Sequence, residues 1–270
     1  MSEAADYFGT DAQQEVLRRS RAVYGLMRND PRCTYYGRSV GLCTPADAAE
    51  ETLDAFLTLQ GTASIARVSA DEMPSVEAEM TSRGLSVTRY DRWLGHDDCV
   101  AAAKAITAQT SLPEGLTLSE LTSASDPELF EALAQLATSC GVMLPNLAVL
   151  RGELRPGTCF VATTPEGRAV SCAAGAAFAH PDHPTLSKEA WWGMLATAQD
   201  WRGHRLALLL GAQAILALRS KLPGCTIMTG VQPGNAPSEA VCSKLGLAPD
   251  GTQVATIVDP SALPGGKLTS

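Results

Sequence analysis

The sequence predicts a mixed α/β protein in which helices flank a central sheet. Three observations carry that prediction. From Leu116 onward, strand-like and helix-like stretches follow one another in the order β-α-α-β-β-β-α-β-α-β. Two adjacent strand-like runs are joined by the turn "PEG" at 165–167, which makes a hairpin. The chain has 270 residues and 45% hydrophobic content, enough to bury a substantial core.

"DAQQEVLRRSRAVYGLM" (11–27) reads as a helix, with Val16, Leu17, Ala22, Val23 and Leu26 spaced to make one face. "TPADAAEETLDAFLTL" (44–59) is a second helix, opened by Thr44 as N-cap with Pro45 in the first turn. A strand is predicted at 62–69, a helix at 71–84 ending on Gly84, and a strand at 85–95. Residues 99–110 are alanine-rich and predict a linking helix, and "SLPEG" (111–115) marks a domain boundary. Beyond it come a strand at 116–123 and a helix capped by Asp126 with Pro127 at its start, ending near Gly141. A short helix at 145–152 precedes the hairpin strands at 158–164 and 168–180. Strands at 189–198, 225–232 and 252–259 then alternate with helices from Leu206 and over 235–246.

Charge and cysteine usage narrow the function classes. The net charge is −8 and the pI near 5.0, so there is no basic footprint and no nucleic-acid partner is expected. The eight cysteines form no CxxC pair, and no His/Cys grouping has zinc-ligand spacing, so no metal site is expected. "MSEAADYFGT" lacks a basic region followed by an apolar run. The expectation is a cytoplasmic protein whose thiols are reduced and are mostly small core residues. No apolar run approaches the roughly 20 residues that span a bilayer, so no membrane partner is expected. Leu206 to Leu218, with Gln213 as its single polar side chain, reads instead as a buried helix.

That helix is preceded by a basic cluster, Arg202-Gly203-His204-Arg205. A strand that runs through a tight turn into a helix leaves the first helical N–H groups unpaired, and these amides with the positive end of the helix dipole attract an anion. Arg202 and Arg205 would add charge there, and Gly203 would allow close backbone approach. The same spacing also fits solvated arginines ahead of a core helix. Neither GxGxxG nor GxxxxGK[ST] precedes a helix.

The segment "MLATAQDWRGHRLALLLGAQAI" resembles the acyl-CoA-binding motif of the GNAT acetyltransferase superfamily, a strand, then (Gln/Arg)-x-x-Gly-x-(Gly/Ala), then a helix. Arg202 and Ala207 match, and Arg205 stands where the family has glycine. About thirty residues on, "GVQPGNAPSEAVCSKLGLAPDG" is similar to the superfamily's second motif: Asn235, Ser238, Val241, Lys244 and Gly246 match, and Leu247 replaces phenylalanine. The resemblance covers about residues 113–260. It implies a GNAT-like, mostly antiparallel mixed sheet in an acyl-CoA-binding catalytic domain at 113–270, behind an α/β extension at 1–112. It also implies acetyl-CoA as co-substrate. The pyrophosphate would lie on Arg202, Gly203, His204, Arg205, Leu206 and Ala207, and the pantetheine arm along Leu195, Ala196 and Thr197. Asn235 and Ser238 would sit beside the thioester.

Transfer of an acyl group to an amine needs the amine neutral and a proton for the leaving thiolate. The resembling family supplies that proton from a tyrosine. Cys242 occupies the matching position here and is either a thiol acid or a small packing residue. The family's usual glutamate slot falls on Trp191, so Glu189, two residues earlier on the same strand face, is the candidate base. His180 and His183, in the loop between two strands, are alternatives. Trp191 and Trp192 project to opposite strand faces, one toward the core and one toward an acceptor pocket.

"ARVSADEMPSVEAEMTSRGLSVTRYDRWLG" shares strand, helix, glycine and strand with the second motif region when Gly84-Leu85 is set over Gly246-Leu247. This predicts a degenerate GNAT half-repeat with no counterpart to the phosphate turn; an unrelated extension is the competing reading. The expected function is N-acetyltransfer from acetyl-CoA to a small-molecule or amino-acid-like amine in a ternary complex, with a homodimer as one candidate assembly. The alternatives are a non-catalytic acyl-CoA-binding module and a protein acetyltransferase.

Overall fold

The computed structural model describes residues 6–47, 50–265 and 267–268. The first part comprises α1 (Asp11–Met27), β1 (Cys33–Tyr35), β2 (Val40–Leu42), α2 (Glu50–Gln60), β3 (Thr62–Ser69), α3 (Met73–Ser82), β4 (Ser86–Gly95) and α4 (Asp97–Gln109). Next come β5 (Thr117–Glu120), α5 (Pro127–Ser139), α6 (Leu147–Leu150), β6 (Gly157–Thr163), β7 (Ala169–Ala177) and β8 (Glu189–Thr197). The last elements are α7 (Leu206–Lys221), β9 (Thr226–Val231), α8 (Ala236–Lys244) and β10 (Ala248–Val258). Among the described residues no helix is long and apolar enough to cross a membrane.

The ten strands make one sheet, ordered β1-β2-β3-β10-β4-β9-β8-β7-β6-β5. Neighbours run antiparallel except β2 beside β3 and β8 beside β9, which are parallel. This order contains an internal symmetry. The series β1-β2-α2-β3-α3-β4 repeats the series β7-β8-α7-β9-α8-β10, pair for pair and with the same strand directions. The last strand of each series is exchanged: β4 lies against β9, and β10 lies against β3. Both final helices end in the same cap. Gly84 (φ 77) and Gly246 (φ 73) are left-handed, and the amides of Leu85 and Leu247 reach back to the carbonyls of Met80 and Cys242. The half-repeat therefore includes a β2–α2 connection in the topological place of the phosphate turn, but it carries Asp47 and no arginine. The sheet runs across the 111–115 segment: β10 sits between β3 and β4.

Several boundaries differ from the sequence reading. In α1 the buried face is Val16, Leu17, Ser20, Val23 and Tyr24, and Leu26 is 78% exposed because it lies off that stripe. Over 44–59, Pro45–Asp47 form a 3-10 turn, and α2 begins only at Glu50, with 48–49 outside the described residues. The Asp47 carboxylate accepts from the Thr44 N–H (3.0 Å) and hydroxyl (2.7 Å), so the side-chain bonds run from Thr44 to Asp47. Strands β1 and β2 were not predicted: three fully buried residues each give neither alternation nor length to read.

Candidate active site

β8 and β9 begin as a parallel pair and then part. Their register runs only from Glu189–Thr226 to Trp191–Met228. At Met194 the backbone turns to φ 55, and the register of β8 against β7 slips between Gly193 and Ala196. This is a β-bulge, which bends its strand and re-aims the following residues. Beyond it β8 keeps a strand partner on one side only, and on the other edge the Thr197 carbonyl accepts from the Cys140 thiol at 3.6 Å and from Arg202 Nε at 3.5 Å. The parting creates a cleft of about 310 Å³. Gly193 to Leu195, Met228 to Gln232, Asn235, Ser238 and Cys242 line one side, and Tyr36, Arg38, Ser64 and Tyr90 bring in the first half-repeat.

The strand leads into the N-terminus of α7 through two left-handed residues, Gly203 (φ 85) and Arg205 (φ 60, ψ 18). Arg205 thus adopts the backbone shape that a glycine would take most cheaply. The Arg202 amide bonds the Gln199 carbonyl at 3.3 Å and the Leu209 amide that of Arg205 at 3.0 Å, and the amides of 206–208, in the first helical turn, have no carbonyl of their own helix to bond. Arg202, His204 and Arg205 are exposed around them, with His204 against the Trp201 ring at 5.6 Å. The Leu206 side chain turns into the core, while Ala207 leaves the first turn slim. Behind the turn, the buried Trp192 indole donates to the Gly211 carbonyl (3.0 Å) and ties α7 to β8. Trp191 lines the cleft.

On the facing helix, Asn235 caps α8 by accepting from the Ser238 amide at 3.3 Å. Cys242 is buried one turn further on, and burial pushes its thiol up to about 12. A proton held that tightly is poorly matched to a thiolate leaving group near 8.5.

No family model matches this chain, and no curated protein matches it. Solved structures do. A GCN5-related N-acetyltransferase from Kribbella flavida aligns over 93% of this chain and 96% of its own, with TM-score 0.51 and 19% identity. A GCN5-related N-acetyltransferase-like protein from Streptococcus suis aligns over 90% and 98%, with TM-score 0.53 and 16% identity. A tandem GNAT protein from the clavulanic acid biosynthesis pathway aligns over 79% and 69%, with TM-score 0.51 and 17% identity. The chain has the GNAT fold. The likeness extends over both half-repeats, so the first hundred residues are part of that architecture.

None of the three base candidates, Glu189, His180 and His183, lines the cleft. Glu189 sits where β8 and β9 are still paired, and its carboxylate is bound by the buried guanidinium of Arg92. His180 lies on the loop after β7, where its Nδ1 accepts from the Asp182 amide at 3.1 Å. His183 is buried, with Nδ1 accepting from the Leu186 and Thr185 amides. With Cys43 and Asp47 it forms a group whose ligand atoms lie within 4.8 Å of one another, remote in sequence and so unread from spacing. Burial holds the Cys43 thiol up at about 12, and Asp47 is engaged by Thr44.

The side chains that sequence reasoning missed are Tyr36 and Arg38, in the turn between β1 and β2. Gly37 between them is left-handed (φ 84), and its carbonyl accepts from the Asn146 amide at 2.8 Å. A Cβ there would stand 2.9 Å from Pro145 Cβ, so glycine is needed for both shape and space. The turn is thereby pinned across the sheet against the loop before α6. The one available signal was the aromatic-rich "TYYGRS", which has no periodicity.

Proposed function

We propose that this chain is an acyl-CoA-dependent N-acyltransferase that uses acetyl-CoA and acts on a small-molecule or amino-acid-like primary amine. The observation that carries the reading is the β8 edge without a strand partner beyond the Met194 bulge, continuing into the first-turn amides of α7 after the left-handed Arg205. An extended amide-rich arm pairs with such an edge, and a pyrophosphate suits such a helix start. The bound thioester would supply the activated acyl group. Arg202, Gly203, His204, Arg205, Leu206 and Ala207 would hold its phosphates, and Leu195, Ala196 and Thr197 its arm. Asn235 and Ser238 would border the reacting end.

Among the described residues the cleft lining includes no carboxylate and no imidazole. The chain's own part is then to bind, orient and exclude water: the ammonium gives one proton to solvent, its nitrogen forms the C–N bond as the C–S bond breaks, and the second nitrogen proton passes to the leaving thiolate. Calorimetric titration with acetyl-CoA, followed by a thiol-release assay over an amine panel, tests the proposal. Binding with release supports it. Binding without release for every amine leaves only an acyl-CoA-binding module, and the absence of binding ends the reading.

A further inference from the structure

Arg38 is a shielded cation without a counter-ion. Its Nε donates to the Met143 carbonyl at 2.6 Å, and its guanidinium lies 5.9 Å from the centre of the Trp191 ring. No carboxylate pairs with it among the described residues, and burial lowers its pKa to about 10. Arg92 and Arg151 show the usual solution to this problem, two carboxylates each. Arg38 is only partly buried and lines the cleft, and among the described residues its terminal nitrogens have no protein acceptor.

Two more polar groups share its situation. Tyr36 and Ser64 line the same cleft, and among the described residues their buried hydroxyls have no hydrogen-bond partner. Tyr36 is held rigidly, stacked on Phe178 at 4.7 Å and edge-on to Trp191 at 6.2 Å. Unpaired buried charge and hydroxyls destabilise a fold, and sites that tolerate them are sites where a ligand supplies the partner. A planar guanidinium with two free nitrogens matches a carboxylate in bidentate geometry. It is also distinct from the exposed Arg202 and Arg205 at the start of α7.

We propose that the acceptor is a small amino-carboxylate, such as an amino acid, whose carboxylate is held by Arg38 in the cleft that Tyr36 and Ser64 also line. This rests on the acyltransferase reading and names its substrate class.

The test uses the full chain with Arg38→Gln and Arg38→Lys. Thiol release from acetyl-CoA is measured with the proteinogenic amino acids and with their carboxamides. Binding of the same amino acids without acetyl-CoA is measured by calorimetry. The favoured acid is expected to exceed its carboxamide in kcat/KM by about a hundredfold. Arg38→Gln should erase that preference by slowing the acid alone, and Arg38→Lys should restore part of it. Arg38→Gln should also melt no lower than the parent, because it removes an uncompensated charge. Equal rates on acids and carboxamides overturn the carboxylate site and leave the acyltransferase standing. Amino-acid binding that depends on Arg38, in a protein that ignores acetyl-CoA, keeps the carboxylate site and removes the acyltransferase. No Arg38-dependent binding and no thiol release overturn both.

Discussion

Arg92 on β4 and Glu189 on β8 meet in a buried ion pair although 97 positions separate them, and Asp250 on β10 closes it at 3.1 Å. The Arg92–Asp250 contact fastens the exchanged strands β4 and β10 to each other, and the Arg92–Glu189 contact ties them to β8. Removing one partner of such a pair strands a buried charge and costs about 3–5 kcal/mol. Arg92→Leu and Glu189→Gln are each expected to lower urea stability by an amount of that order. The residual folded Glu189→Gln protein should keep its turnover. A stably folded Glu189→Gln protein that has lost thiol release would return Glu189 to the role of base.

The Arg205 turn separates charge from backbone shape. A non-glycine residue at left-handed φ and ψ costs about 1 kcal/mol. Arg205→Gly should therefore leave the protein as stable as the parent or more so, while Arg205→Ala gains nothing. Both lose the cation, so both should bind acetyl-CoA more weakly by the same factor. A weaker complex for Arg205→Ala alone would mean that the turn, and not the charge, carries the phosphate contact.

Cys242 shares a pH signature with four other thiols. Burial raises Cys33, Cys43, Cys99, Cys172 and Cys242 to about 12 in the folded chain. Folded values above the unfolded value near 8.5 mean that this stabilisation is fully present below pH ~8.5 and is lost as pH rises toward 12. Each such thiol contributes a slope of about 1 kcal/mol per pH unit in that window. The urea midpoint should fall steeply above pH ~9. Cys242→Ala should start lower but fall less steeply, and the thiol-release rate should show no limb that Cys242→Ala abolishes. An unchanged slope in that variant would remove Cys242 from the group.

Most of the fold was legible because its elements are long and periodic. The strand at 62–69 and the helix at 11–27 matched residue for residue, since alternation and capping are local properties. Thr10, which closes a capping box with Gln13, marks the start of α1 in the same local way. The exchange of β4 and β10 was not legible: nothing in either strand states which neighbour it will take. The site divided along the same line. The α7 turn and Asn235 lie within contiguous motifs, whereas Arg38 reaches the cleft from a four-residue turn between β1 and β2 that Asn146 pins from far along the chain. That no carboxylate among the described residues pairs with it is a property of three dimensions.

Two glycines inside helices predict opposite outcomes for one substitution. Alanine is favoured over glycine in a helix interior by about 1 kcal/mol. At Gly25, exposed on α1, an added Cβ meets nothing within 4 Å, so Gly25→Ala should raise stability by that amount. At Gly211 on α7 the Cβ would stand 2.8 Å from the Trp192 ring. That ring is fully buried and anchored by its own bond to the Gly211 carbonyl, so it cannot yield by rotating. Overpacking of this kind costs about 1–3 kcal/mol, which equals or exceeds the helical gain. Gly211→Ala should therefore destabilise, and by pushing α7 off β8 it should also loosen acetyl-CoA binding at the nearby N-terminus of the helix. Thermal melts of both variants with a calorimetric titration decide it. A stabilised Gly211→Ala protein would show that α7 is free to move on the sheet, and the turn at Arg205 would then not be held in place by Trp192.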